Sequence, residues 1–339
     1  MSACRTASSD GRARGSGGAG GGSIAGGGGA TPGGAAGAGP ALVYDRGPYG
    51  QAPEPRALFV DGSDLVWAEI GAVGSVVKRG PKTGAGPVSS IGTWLDSDRT
   101  LRLFAADAAA VYWLRGPQIA GARKSGEALP PLELGAGRLG GGIVSDGDVL
   151  RVVTPGCASI GSVPKSGGQA VFVENPGIDY HGGGTDLAVD GDYVYCGYGA
   201  YVFALGKAGS PPAVETWVSD QEAAAPLASD GTTVFWVNNR RVLGTGQENL
   251  ASVGKRPPRT PAVLATIGEG MGILLHDSTR RVLYGGGSGS DRGRIVAYDI
   301  AAARLTVLLD ATRNRGGLAQ DEQFLYWVSD TRIWRLAKD

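Results

Sequence analysis

The sequence has no excess of either charge. Its 339 residues hold 32 basic and 32 acidic side chains, and charged residues make up only 19% of the whole. Nothing in it forms the stripe of Lys and Arg that displaces counterions from a nucleic-acid backbone, so no nucleic-acid partner is expected. No acidic tail suggests a solvating role. Apolar runs all fall short of the ~20 residues that cross a bilayer as a helix, so no transmembrane helix is expected. Histidine (2) and cysteine (3) are scarce. His-Glu-x-x-His, Gly-x-Ser-x-Gly, the phosphate loop and Cys-x2-Cys are all missing, so no cofactor is expected from any local motif.

Glycine is abundant instead. Sixty are present, and 15 of them fall within residues 1–40. Over the rest of the chain the density is still about twice the usual ~7%. Spread among short apolar runs, this points to a turn-rich all-β structure. Residues 1–40 are nearly all Gly, Ala and Ser and bury too little to offset the entropy of ordering. They read as a disordered tether, with the folded part expected over 41–339. Met1-Ser2-Ala3-Cys4 is similar to the end of a bacterial lipoprotein signal, although the apolar stretch that should precede it is missing. Cys4 would then carry a lipid, the membrane would be touched only through that anchor, and the protein would sit at the cell envelope, lipid-anchored or periplasmic. An ordinary N-terminus would leave it cytoplasmic.

From about residue 57 the chain repeats. An Asp closes a short apolar run at positions 61, 107, 146, 190, 230, 277 and 321, with spacings of 46, 39, 44, 40, 47 and 44. That period, about 43, suits a four-stranded propeller blade. Gly follows at positions 62, 147, 191 and 231, and Asp-Gly between apolar runs is a hairpin signal. Six residues after the Asp stands Trp67, Trp113, Trp236 or Trp327, Val152 and Cys196 in the third and fourth repeats, and Tyr284 one later in the sixth. The run into that position, as in Val111-Tyr112-Trp113, is apolar on both faces, as expected of a strand buried on both sides. A second marker, Lys-x-Gly at Lys82, Lys124, Lys165 and Lys207, fits the turn between third and fourth strands and reads as a solvated turn rather than a basic ring. The seven aspartates read as local turn residues, not a metal ring. The last repeat has only three strands. The isolated run Ala41-Leu42-Val43-Tyr44 is expected to supply the fourth and close the ring. The expected fold is a seven-bladed β-propeller of four-stranded antiparallel blades.

The segments Val111-Tyr112-Trp113, Leu325-Tyr326-Trp327-Val328-Ser329-Asp330 and Arg332-Ile333-Trp334-Arg335 resemble the YWTD repeats of lipoprotein-receptor propellers. Those receptors have six blades, whereas seven repeats are counted here. The pattern, over roughly residues 57–339, also resembles bacterial propeller lipoproteins. Its period is similar to that of virginiamycin B lyase, from which no individual residue carries over. These resemblances imply a fold and no active site.

Function is expected on the face formed by the strand 2–3 loops and the blade connections, which vary in length and composition. Candidate binding residues there are Trp94, Asp96, Asp98, Tyr180, His181, Arg240, Arg241 and Arg315, a mix of aromatics and both charges suited to a protein or glycan partner. His276 reads as a structural strand residue. Cys157 and Cys196, in consecutive repeats, are placed to form a disulfide between neighbouring blades, with two buried thiols as the alternative. The leading expectation is a monomeric, non-catalytic binding module. Its alternatives are a metal-dependent hydrolase or lyase with its site in the central channel, and a structural envelope component.

Overall fold

The computed structural model of the chain describes residues 39–47, 54–71, 74–94, 104–135, 141–176, 186–208, 212–221, 224–239, 248–268, 271–287, 293–312 and 317–338. These form seven four-stranded antiparallel sheets, the blades of a β-propeller. Blades 1 to 6 occupy 54–94, 104–133, 142–174, 186–218, 224–268 and 271–312, each with its strands in chain order. Blade 7 takes three strands from 318–337 and its fourth from Ala41–Asp45, which pairs antiparallel with Arg332–Ala337. The blade count, the all-β class and the closing N-terminal strand are those the repeat implied.

A four-stranded blade has two apolar faces and no interior of its own, so each face must be buried against a neighbour. That is why the second strands are apolar on both sides. Seven apolar clusters result, one at each seam. Trp236 shares a cluster with Tyr195 and Trp217 across seam 4–5, Trp113 with Val66 and Val77 across seam 1–2, and Trp67 with Tyr326 and Val328 across seam 7–1. In the sixth blade the hairpin is two residues longer. Tyr284 therefore pairs with Leu275, the register place that Tyr112 holds against Ala105. It is thus not the shifted counterpart of the tryptophans. Gly285 takes that place, and Met271 fills the space a side chain would need.

The closing strand is fixed from both sides. Its register slips between Leu42 and Tyr44, and Val43 and Tyr44, though adjacent, both bury. The Tyr44 ring lies 5.0 Å from that of Trp67 in blade 1, and its hydroxyl donates to the carbonyl of Pro81 at 2.6 Å. Burial pushes this phenol up to about 12. One residue thereby ties blade 7 to blade 1.

The repeat aspartates do more than shape their own turns. In blades 2, 4, 5, 6 and 7 one oxygen accepts two backbone N–H groups of the hairpin, as Asp107 does from Ala109 at 2.7 Å and Ala110 at 2.9 Å. The carboxylate also accepts the lysine of the following blade. Lys82 meets Asp321 at 2.7 Å, Lys165 meets Asp107 at 2.7 Å, Lys207 meets Asp146 at 2.8 Å, Lys255 meets Asp190 at 3.0 Å and Lys338 meets Asp277 at 2.7 Å. Lys124 and Asp61 complete the set. The reading of these lysines as solvated turn residues is therefore corrected. Each side chain is folded into a seam, with between 2% and 29% of it exposed. Lys255 and Lys338 belong to the series although no Gly follows them.

Seam 5–6 departs from the rule. In all seven blades the residue at the lysine position donates its backbone N–H to the carbonyl of the preceding hairpin, and in blade 6 that residue is Ile300, bonded to Arg281. Asp230 of blade 5 keeps its hairpin bonds. The titratable group set against it is His276 of blade 6, which burial holds below the usual imidazole range despite the attraction of Asp230 and Asp277.

Burial alone would raise the carboxyls of Asp107, Asp146, Asp190, Asp277 and Asp321. Hydrogen bonds from lysines, hairpin N–H groups and neighbouring side chains outweigh it and hold all five below the ordinary range. A carboxyl lowered in the folded state contributes stability above its unfolded value of ~3.9 and loses it as pH falls. Stability, measured by denaturant unfolding, should therefore drop as pH is lowered from 5 to 2. Lys165→Met should lower stability at pH 7 by about 1–3 kcal/mol, because Asp107 stays half-buried without its cation. The same variant should flatten the acid decline.

Candidate functional site

The two ends of the propeller are built differently. At the hairpin end six of the seven repeat aspartates are taken up by lysines of the next blade. At the opposite end, where strand 2–3 loops and blade connections meet, the polar groups are particular to each blade. Trp67 Nε1 donates to Glu69 Oε1 at 3.0 Å, and Arg46, just past the closing strand, donates to Glu69 Oε2 at 3.1 Å. Trp236 Nε1 donates to Asn238 Oδ1 at 2.9 Å and to Gln221 Oε1 at 3.2 Å, and Asn238 Nδ2 donates to the same Gln221 oxygen at 3.0 Å. The indoles of Trp67 and Trp236 thus each reach a polar cap at the loop end, as a buried N–H favours.

Three acids, Glu69 among them, work across seams here. Asp186 opens the first strand of blade 4 and accepts the N–H of Leu227 in blade 5 at 2.6 Å. Glu248 opens the third strand of blade 5, is 1% exposed, and accepts the N–H of Met271 in blade 6 at 2.9 Å. Glu69, 3% exposed, ties blade 1 to Arg46. Seam 5–6, which lacks a lysine at the hairpin end, is thus pinned at the loop end by Glu248. Burial pushes Asp186 up to about 6, against the pull of the Leu227 and Leu187 N–H groups. Sequence reasoning missed these acids because each sits at a different place in its repeat, so periodicity does not flag them.

Of the residues singled out for binding, Trp94 ends the fourth strand of blade 1, where its backbone is paired with Ser75. Asp96, Asp98, Tyr180, His181, Arg240, Arg241 and Arg315 lie outside the described residues, as does Cys4. Their mutual geometry is therefore not part of the site as built above. Among the described residues no three His, Cys, Asp or Glu side chains come together to hold a metal ion.

Cys157 and Cys196 are joined by a disulfide, with Cα atoms 6.0 Å apart. The short 3-10 turn Pro155–Cys157, with Gly156 at φ 72° and Cys157 at φ 57°, carries the first thiol to the second strand of blade 4. Thr154 and Ser159 hold the turn, with the Ser159 N–H donating to Thr154 Oγ1 at 2.8 Å. Both cysteines are fully buried among Ile160, Val194 and Phe203 at seam 3–4.

No protein-family model matches the sequence, and no curated protein is similar to it. Solved structures are similar in fold. Selenomethionine-substituted virginiamycin B lyase from Staphylococcus aureus superposes with a TM-score of 0.65 at 11% identity, over 85% of this chain and 96% of that one. The WD40 propeller domain of Doa1 gives 0.65 at 11% identity, over 89% and 97%. YCF48 bound to D1 peptide gives 0.61 at 10% identity, over 88% and 96%. At these identities the likeness establishes the propeller and nothing finer.

Two stability measurements follow. A carboxyl raised in the folded state opposes folding once pH passes its unfolded value, and the full cost is present above the folded one. Asp186→Asn, which keeps an acceptor for Leu227, should therefore stabilise the protein at pH 7.5 by about 1–3 kcal/mol. The gain should vanish by pH 4; a gain independent of pH would show that the ionised form carries no cost. Replacing Cys157 and Cys196 by Ser should cost about 4 kcal/mol on the chain-entropy view for a 39-residue separation, read by urea unfolding.

Proposed function

We propose that this propeller is a non-catalytic binding module that holds a protein or glycan partner on its loop end. The observation that carries this reading is the asymmetry between the two ends. At the hairpin end, six of the seven repeat aspartates pair with a lysine of the next blade, so that face is a repeating fastening. At the loop end the connections differ from blade to blade in length and chemistry, and a change there leaves the fastening intact. The described polar groups of that end already brace the strand ends beneath the loops. Trp94, Asp96, Asp98, Tyr180, His181, Arg240, Arg241 and Arg315 would supply aromatic and charged anchors above them. Among the structurally similar propellers, YCF48 bound to D1 peptide supports the reading as a propeller that holds a peptide. The lyase fold keeps a metal-dependent channel catalyst as the alternative.

The location proposed is the cell envelope, with a lipid on Cys4 and residues 1–40 as the tether. The Cys157–Cys196 disulfide supports this, since such bonds persist in oxidising compartments.

A photo-crosslinking residue at position 94 or 240 should capture a partner in the native host, and one at 191 or 231, in the hairpins, should not. Capture from the hairpin positions alone would overturn the loop-end assignment. Intact mass of the mature protein should show an acylated cysteine at position 4; an unmodified terminus with reduced Cys157 and Cys196 would place the protein in the cytoplasm.

A further inference from the structure

Equivalent clefts at two seams differ in size. At seam 2–3 a cleft lies between the outer half of blade 2 and the hairpin Lys165-Ser166-Gly167 of blade 3, and it encloses about 130 Å³. At seam 6–7 the cleft in the corresponding place is about 680 Å³. The surroundings match. Tyr284 stands where Tyr112 stands, and the lysine of the next blade lies over each ring, Lys338 at 4.9 Å from its centroid and Lys165 at 5.8 Å. The difference is topological. In blade 3 the chain turns after Lys165 and folds back as the fourth strand, so the hairpin covers the cleft. In blade 7 the fourth strand comes from the other end of the fold, and no hairpin joins it to Arg332–Ala337. Gly39, Pro40 and Lys338 border the opening that is left.

The shape and chemistry of this opening select its occupant. Residues 306, 307, 308 and 309 of the fourth strand of blade 6 all line it. Successive residues face opposite sides of a sheet. A bulge at Leu308 breaks that alternation for Leu308 and Leu309, but Thr306 and Val307 are in regular register, so their both lining the cleft means that it runs along the strand's edge. That strand is the outermost of its sheet, and an outer edge offers free backbone groups to an added extended segment. Tyr284, Ala297, Leu309 and Leu336 make the walls apolar. The charged lining is Arg280, Arg304 and Lys338 against Asp299. Lys338 is buried on Asp277 and Arg280 also binds Asp277, while Arg304 is exposed at the rim beside Val307, which is 47% exposed. The volume lies within the ~300–1,000 Å³ of ligand-binding clefts.

We propose that the seam 6–7 cleft binds an extended peptide segment of a partner protein, in which aliphatic side chains lie next to a carboxylate. The aliphatic groups enter between Tyr284 and Leu336, and the carboxylate accepts two N–H hydrogen bonds from the Arg304 guanidinium. Residues 1–38 of this chain do not fit that description. They carry Arg5, Arg12 and Arg14 against Asp10, and Ile24 is their sole branched aliphatic residue apart from threonines. The site is independent of the loop-end reading and stands or falls separately.

The test uses the full chain and fluorescein-labelled octapeptides built on Leu-x-Leu flanked by Glu, by Gln or by Lys, with binding read by fluorescence anisotropy. The Glu peptide should bind at least tenfold tighter than its Lys counterpart. Arg304→Glu and, separately, Val307→Glu should weaken it at least tenfold while leaving the thermal midpoint unchanged, since both positions are exposed. A photo-crosslinker in the peptide should label residues 304–309. Absence of binding to the folded protein, equal binding by all three peptides, or binding untouched by either variant would overturn the proposal. Labelling at the loop end would do the same for this site and would favour the loop-end reading instead. Displacement of the Glu peptide by decanoate as readily as by unlabelled peptide would show an apolar-anion site and not a peptide site.

Discussion

No blade of this protein can bury its own faces, and that constraint organises everything else. Each sheet is apolar on both sides, so each is stable only between two neighbours, and the last must find the first. The seven seam clusters are the direct consequence, and the strand Ala41–Asp45 is what makes the seventh possible. Tyr44 expresses the constraint in one side chain. It belongs to blade 7 by backbone pairing and to blade 1 through its contacts with Trp67 and Pro81.

Apolar burial is non-directional and sets no angle between blades. The directional part comes from carboxylates. At the hairpin end an Asp with two oxygens serves its own turn and the next blade's lysine together, so the geometry of the hairpin and the spacing of the seam are coupled. Same-blade partners add to this, Tyr195 and Tyr326 by hydroxyl and Arg151 by guanidinium. At the loop end Glu69, Asp186 and Glu248 perform a related task with no repeating pattern. The fold is therefore regular where it fastens and individual where it is free to vary.

The departures from regularity are informative. Seam 5–6 exchanges lysine for Ile300 and sets His276 near Asp230, with Glu248 taking up the pinning at the other end. Seam 6–7 ends in two separate chain segments where other blades have a hairpin, and a cleft opens there. The first departure follows from a residue. The second follows from topology alone, and no substitution within blade 7 marks it.

Much of this was legible in the chain. The Asp period, the Trp that trails it by six residues, and a final repeat short of one strand together specified seven blades and the closing strand. Blade-to-blade burial was legible too, because Val111-Tyr112-Trp113 and its counterparts are apolar without alternation. The lysine pairs were half legible: four were seen through the Gly that follows them, while Lys255 and Lys338 follow the same phase without that Gly, and their partner is an Asp one repeat away. The inward direction of the side chains was not, because a lysine in a turn reads the same whether it meets water or a neighbouring carboxylate. Asp186, Glu248 and the seam 6–7 cleft were wholly decided by tertiary structure. They depend on which strand end of one blade lies against which backbone group of the next. The sequence by itself determined what repeats, because each blade needs the same local chemistry. Only the closed ring decided what happens between blades, because those contacts join residues from 23 to 63 positions apart, or the two ends of the fold.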